Sequence, residues 1–336
     1  MYEQYYGFSA KPFQLRPDPS FFFGSKGHKR AAAYLEYGLS QGEGFIVITG
    51  EVGAGKTTLV RNLFRNLESE NIVAAQIVNT HLNADDTLRM VASAFGLPYE
   101  DATKAALLTK IEQFLRQCDQ LGKRALLVVD EAQNLAPQTV EELRMLSNFQ
   151  ANDKPLLQTF LVGQPEFRKT LLGGDMLQLQ QRVIATYHLG PMDAQETKDY
   201  IEHRLHTVGW RGDPAFSEDA FAAIYEFTGG IPRKINTLCD RLLLMGYLEE
   251  IHAFARPEVE EVIRDIQQEF ILPDTGAEAQ ATSGAAPTGQ AAYDPASLEN
   301  MDIRLAKMEN SVIAVLDLLK QVISLPRVNK ELSRKR

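Results

Sequence analysis

Short apolar runs alternate with amphipathic stretches through the first 190 residues of this 336-residue chain. The runs lie at 45–49, 72–78, 125–129, 157–162 and about 185–189, and they are rich in β-branched residues. They show no polar face, which is the pattern of strands buried on both sides in a parallel sheet. Between them, apolar residues recur at helical spacing near 57–69, 85–95, 103–119, 138–149 and 175–183; in the first of these, Leu59, Val60, Leu63, Phe64 and Leu67 form the stripe. The alternation predicts an α/β domain over 41–190, built on a five-stranded parallel sheet covered on both faces.

The pattern changes on either side. Residues 1–40 begin with aromatics and prolines (Tyr5-Tyr6-Gly7-Phe8, Pro12-Phe13, Pro17-Asp18-Pro19, Phe21-Phe22-Phe23) and continue into a helix from about Lys26 to Ser40. So many aromatics are expected to pack on a core. Over 191–271 the strand signals vanish and amphipathic helices predict a smaller helical domain. Asp193 and Ser217 are its candidate N-caps, with Glu196 three residues after Asp193. Residues 272–297, rich in Ala, Thr, Gly, Pro and Gln, read as a flexible linker. Beyond it Leu298, Met301, Leu305, Met308, Val312, Val315, Leu319 and Val322 alternate at spacings of three and four. That is a heptad seam over 298–325, closed by Pro326. It suits self-association or partner pairing, although a solvated amphipathic helix has the same pattern. A basic tail fills 326–336.

Composition narrows the class. A formal charge of −9 gives no broad basic footprint for nucleic acid. Cys118 and Cys239 form no CxxC pair and sit in helical patterns, as buried thiols of a reducing compartment do. The first residues carry neither the basic nor the apolar region of a signal peptide, and no run is long enough to span a membrane. The expected location is cytoplasmic.

Chemistry enters at Gly50-Glu51-Val52-Gly53-Ala54-Gly55-Lys56-Thr57, followed by Thr58, which fits the phosphate-binding loop G-x-x-x-x-G-K-[ST] between a strand and a helix. Glycines let successive N–H groups face a phosphate, and the helix N-terminus adds partial positive charge. Lys56 suits the β- and γ-phosphates of ATP, and the Thr57 hydroxyl suits Mg²⁺. The strand 125–129 ends at Asp130-Glu131: Asp130 would hold Mg²⁺ through a water, and Glu131 would polarise the attacking water. Gln164 ends the next strand. It reads either as a polar group for the γ-phosphate and lytic water or as a turn residue before Pro165. Arg182 reads as a surface arginine or as one that reaches a neighbouring subunit's nucleotide. Gly229-Gly230-Ile231-Pro232-Arg233 breaks one helix and opens another, and Arg233 could meet the phosphates if this domain folds over them. The stretch Asp130-Glu131-Ala132-Gln133 also resembles a helicase box, but no other helicase motif accompanies it.

In this order the elements resemble the AAA+ ATPases, and in particular the ExeA/GspA-like secretion ATPases and their exosortase/PEP-CTERM relatives. The likeness rests on the aromatic lead, on Gly44 to Thr58, on Asp130-Glu131-Ala132-Gln133-Asn134-Leu135, on Leu161-Val162-Gly163-Gln164-Pro165-Glu166 and on Gly229 to Asn236. It spans roughly residues 1–270. The resemblance implies a P-loop AAA+ sheet with a helical lid, Gln164 as sensor 1, Arg182 as arginine finger and Arg233 as sensor 2. It also implies ring-like homo-oligomers with sites between subunits. ExeA-type proteins carry a membrane span and a periplasmic peptidoglycan-binding region that these residues do not show. An envelope role is therefore expected through membrane-protein partners, with the heptad helix and basic tail as contacts, peripheral at the inner membrane. The expected function is Mg²⁺-dependent ATP hydrolysis serving envelope secretion or exopolysaccharide export. Two alternatives stand beside it: an ATP-dependent DNA-binding regulator of the transposition or initiator type, and a slow nucleotide-switched scaffold.

Overall fold

In the computed structural model of the chain, which describes residues 1–67, 71–78, 83–173 and 176–270, all five apolar runs join one sheet. Strands β1 (Phe45–Gly50), β2 (Ile72–Val78), β3 (Arg124–Asp130), β4 (Leu157–Gly163) and β5 (Val183–Leu189) lie in the order β2-β3-β4-β1-β5. Every neighbouring pair is parallel. Thr49 faces Gly163 across β1 and β4, and Val129 faces Leu161 across β3 and β4. The segments that follow β1, β3 and β4 thus leave the sheet at one end and at one level.

Side-chain alternation divides the core. Ile46, Ile48, Leu126, Val128, Phe160 and Val162 pack with Leu35 and Leu39 of α1 (Lys26–Gln41) and with Leu59, Val60 and Leu63 of α2 (Lys56–Leu67). Phe45, Val47, Leu127, Val129, Leu157 and Leu161 face the other way. They meet Leu88 and Val91 of α3 (Ala84–Ala94), Leu107, Ile111 and Leu115 of α4 (Lys104–Gln120), and Val140 and Leu143 of α5 (Pro137–Leu146).

Two helices are shorter than their periodicity predicts. The 138–149 pattern ends at Leu146, where the Ser147 hydroxyl donates to the Arg144 carbonyl. The chain then turns through Asn152 and Asp153, both at positive φ, into a two-residue antiparallel pairing of Gln150–Ala151 with Lys154–Pro155. Asn and Asp tolerate that backbone better than other non-glycine residues, and the pattern of apolar positions does not record it. After α6 (Pro165–Leu171), the 175–183 pattern yields only α7 (Leu177–Gln180), because the chain joins β5 already at Val183.

The helical segment contains α8 (Ala194–Thr207), α9 (Glu218–Thr228), α10 (Pro232–Leu248) and α11 (Arg256–Phe270). Asp193 and Glu196 form a capping box on α8, and the Ser217 hydroxyl accepts from the Ala220 N–H at the start of α9. A parallel pairing of Ala215–Phe216 with Ala253–Phe254 departs from the strand-free expectation; two residues are too few to show a period. The aromatic lead packs as expected, mostly onto this helical core, with Phe22 against the sheet-side cluster. Tyr2, Tyr6, Phe8, Phe13 and Phe21 are buried with Ile201, Leu205, Ile224 and Leu242, each large side chain contributing about 1.5–3 kcal/mol. Arg204 of α8 fixes the lead from below through Nε to the Pro12 carbonyl (2.5 Å), and Arg61 of α2 donates to the Pro17 carbonyl (2.7 Å).

Cys118 and Cys239 are buried free thiols, and burial raises the pKa of both. The described residues belong to one compact unit, Met1–Asp274. The predicted linker, heptad segment and basic tail lie outside the described residues. No helix among the described residues is long and apolar enough to cross a membrane.

Candidate functional site

The loop after β1 curls through Gly53 (φ +83°) and Gly55 (φ +97°) into the N-terminus of α2. A Cβ on Gly53 would stand 2.3 Å from the Arg233 Cβ, and the Arg233 N–H donates to the Gly53 carbonyl at 3.2 Å. The first turn of α10 therefore rests on the loop itself. Gly230 permits a second close approach. Its own Cβ would lie 2.0 Å from the Met192 carbonyl oxygen, at a residue with φ +72°. The glycine pair before α10 thus seats the helical segment against the exit of β5, beyond its role in ending α9.

Lys56 is buried, and its ammonium donates to the Gly50 carbonyl at 2.6 Å and the Glu51 carbonyl at 2.9 Å. A third donor remains for an anion. Desolvation lowers the Lys56 pKa, while the charges of Glu131 and Asp130 act in the opposite sense. The Thr57 hydroxyl donates to Asp130 Oδ2 at 3.2 Å, and the Glu131 N–H donates to Asp130 Oδ1 at 3.0 Å. Burial raises the Asp130 pKa, and these two hydrogen bonds oppose it. A hydroxyl and a buried carboxylate are hard oxygen donors, and this pair fits Mg²⁺.

Glu131 follows in a left-handed backbone conformation (φ 55°, ψ 41°), an uncommon state for a non-glycine residue. Its Oε2 accepts from Gln133 Nε2 at 2.5 Å and from Gln164 Nε2 at 3.4 Å. The equal level of the strand ends brings Glu131 and Gln164 together, as the register of β3 and β4 requires.

Lys56, Thr57, Glu131 and Gln164 border a cavity of about 310 Å³, a size suited to a small-molecule ligand. Val52, Gly53, Gly55, Lys56, Thr57 and Thr58 form one wall, with Glu131 and Gln164 beside them. The cavity is also lined by the lead (Gln14–Asp18 and Phe21–Phe23) and by Met192, Tyr200, Arg204, Arg233 and Asn236. Two glycines at positive φ, a helix N-terminus and a buried ammonium on one wall match a polyphosphate.

Arg182 is not part of this cavity. It precedes β5 at the end of the sheet where β1 starts: its carbonyl accepts from the Phe45 N–H, and its guanidinium donates to Ser147 Oγ (2.7 Å) and to Asn148. The phosphate-binding loop leaves the other end of β1, about 16 Å away along the strand.

Several lining groups escaped sequence reasoning. His28 is buried with its Nδ1 2.7 Å from the Ser25 hydroxyl, and its Nε2 would meet a Cβ on Gly55 at 2.7 Å. Burial lowers its pKa, so the imidazole beside the loop is neutral at pH 7. Tyr200 donates to Asn236 Oδ1 and accepts from Arg204, both at 2.8 Å. No motif marks these residues, because they meet only when the lead folds between α2 and α8. Gln133 had a visible signal in its distance of two residues from Glu131.

Residues 39–171 match the AAA domain family model. The sheet, loop and helical segment align with the Aeropyrum pernix ORC2 protein in its ADPNP–ADP complexes (TM-score 0.60, 18% identity, 77% of this chain and 72% of that one). They also align with Cdc6p from Pyrobaculum aerophilum (TM-score 0.59, 17% identity, 81% and 74%) and with the RuvB branch-migration motor of Thermotoga maritima (TM-score 0.51, 19% identity, 75% and 73%). The chain has a P-loop AAA fold. In sequence the chain is 39% identical over 260 residues to the general secretion pathway protein A of Aeromonas hydrophila. The match covers 77% of the chain and 47% of that protein, so the chain spans about half the length of its curated relative.

Proposed function

We propose that this AAA protein is a Mg²⁺-dependent ATPase of the ExeA/GspA kind that drives or regulates assembly of a bacterial envelope secretion system. The observation that carries the hydrolytic reading is the convergence of Lys56, Thr57 (bonded to Asp130), Glu131 and Gln164 on a cavity also lined by the helical segment. Gly50 to Thr58 would hold the phosphates of ATP, Thr57 and Asp130 would hold Mg²⁺, and the metal would neutralise charge on the phosphates. Glu131 accepts the proton of the attacking water, and Gln164 hydrogen-bonds at the γ-phosphate end. Arg233 has its backbone tied to the loop at Gly53, which supports a role in linking nucleotide state to the position of the lid. Arg182, remote from its own chain's cavity, serves a neighbouring subunit in a homo-oligomer.

The likeness to the secretion protein of Aeromonas hydrophila supports the envelope assignment. The narrower assignment is to exosortase-linked exopolysaccharide export, with the protein peripheral at the inner membrane and its heptad segment and basic tail engaging membrane-protein partners. ATP turnover with Mg²⁺ tests the hydrolytic reading. Lys56→Ala should lose nucleotide binding, seen as loss of the ATP-induced rise in Tm. Glu131→Gln should keep that rise and lose turnover by about 100-fold or more. Unchanged turnover in Glu131→Gln would sink the assignment.

A further inference from the structure

We propose that Gln133 is a positioning residue that orients the Glu131 carboxylate for water activation. The inference rests on the hydrolytic reading of Glu131 above and adds a group that touches neither phosphate nor water.

The Gln133 side chain spans two junctions that end adjacent strands. Its Oε1 accepts from the Gln164 N–H at 2.9 Å, at the turn from β4 into α6. Its Nε2 donates to Glu131 Oε2 at 2.5 Å, at the turn after β3. The direction of the amide follows from chemistry: a backbone N–H only donates and an ionised carboxylate only accepts, so the carbonyl end must face Gln164 and the NH₂ end Glu131. Residues Ala132–Asn134 form a 3₁₀ turn that begins from the left-handed Glu131. This turn aims residue 133 back across the carboxylate instead of away from it.

A glutamate side chain on a turn has three rotatable bonds, and a general base displaced by about 1 Å can lose about 10²-fold in rate. Gln133 removes that freedom by holding Oε2, so that Oε1 remains to take the proton. The same amide holds the backbone of Gln164, whose own side chain reaches Glu131 Oε2 at 3.4 Å. One side chain therefore sets the spacing between the base and the residue at the neighbouring strand end.

The test measures ATP turnover with Mg²⁺ for the full chain and for Gln133→Ala, Gln133→Met and Glu131→Gln. Gln133→Ala should lower kcat about tenfold while leaving KM for ATP within about twofold, because the phosphate-binding loop is untouched. Gln133→Met keeps the length of the side chain and removes the amide, so it should lower kcat by a similar factor with KM unchanged; a role in packing alone would leave Gln133→Met at wild-type kcat. Should Gln133→Ala fail to fold, the kcat and KM of Gln133→Met decide. If Glu131→Gln loses turnover but Gln133→Ala or Gln133→Met keeps wild-type kcat, the positioning role is overturned and the hydrolytic reading survives. If Glu131→Gln retains turnover, the hydrolytic reading fails and the role of Gln133 with it.

Discussion

Asp130 is buried at the end of β3, where desolvation raises its pKa and hydrogen bonds from Glu131 and Thr57 pull it back. Its folded pKa lies above the unfolded value. The stability it contributes is therefore present at pH below about 3.8. That contribution is lost as pH rises through the folded pKa, and at neutral pH the ionised carboxylate opposes folding. Asp130→Asn removes the titration and keeps the shape. Its Tm should exceed that of the wild type at pH 7, the difference should shrink toward pH 4, and Mg²⁺-dependent turnover should disappear. Calorimetry at several pH values checks the sign, and an unchanged or lower Tm at pH 7 contradicts it. Such a trade of stability for a charged site is expected where a metal partner is to be bound.

Helices α1 and α8 share a single carboxylate. Glu196 Oε2 accepts from the Asp193 N–H within the α8 capping box, and its Oε1 accepts from the Lys26 N–H at 2.6 Å in the first turn of α1. Lys26 Nζ adds an exposed pair with Asp193 at 2.8 Å, of small value by itself. Glu196 therefore serves two helix N-termini, one in the sheet layer and one in the helical segment. Glu196→Ala should cost about 1 kcal/mol, or about 2–4 °C in Tm, and should weaken the ATP-induced rise in Tm because the two layers are then less firmly registered. A thermal melt with and without ATP measures both. Of these contacts, the capping box of α8 was legible in the spacing of Asp193 and Glu196. The bond to Lys26 joins residues 170 positions apart, and no local pattern encodes it.

Over the whole molecule, the distance of Arg182 from its own cavity becomes the informative feature. The sequence places it before the fifth strand, and the register of β1 with β5 puts that point at the far end of the sheet. If Arg182 acts on a nucleotide, it acts on a neighbour's. Arg182→Ala and Glu131→Gln should each lose turnover alone, yet regain a fraction when mixed. In the mixture an Arg182→Ala subunit keeps its own Glu131 and borrows Arg182 from an adjacent Glu131→Gln subunit. Turnover measured across mixing ratios checks this, and a mixture no more active than its components rules the arrangement out. Recovery on mixing would support the proposed homo-oligomer.

The sequence by itself determined the parallel sheet, the phosphate-binding loop and the residues at its strand ends. Each is written in a local signal: apolar runs of strand length, glycines spaced for a phosphate, carboxylates closing an apolar run. It also determined the helix caps, which depend on neighbours three residues apart. The tertiary structure decided what those residues face. Strand register brought Gly50, Glu131 and Gln164 level, and the close approaches at Gly53 and Gly230 set α10 on the loop. The aromatic lead found its core mostly among α8, α9 and α10, with Phe22 on the sheet side. His28, Tyr200, Arg204 and the Gln133 bridge became part of the site in the same step. Their placement depends on contacts between residues distant in the chain, and the energy of such contacts comes from packing that no short stretch of sequence contains.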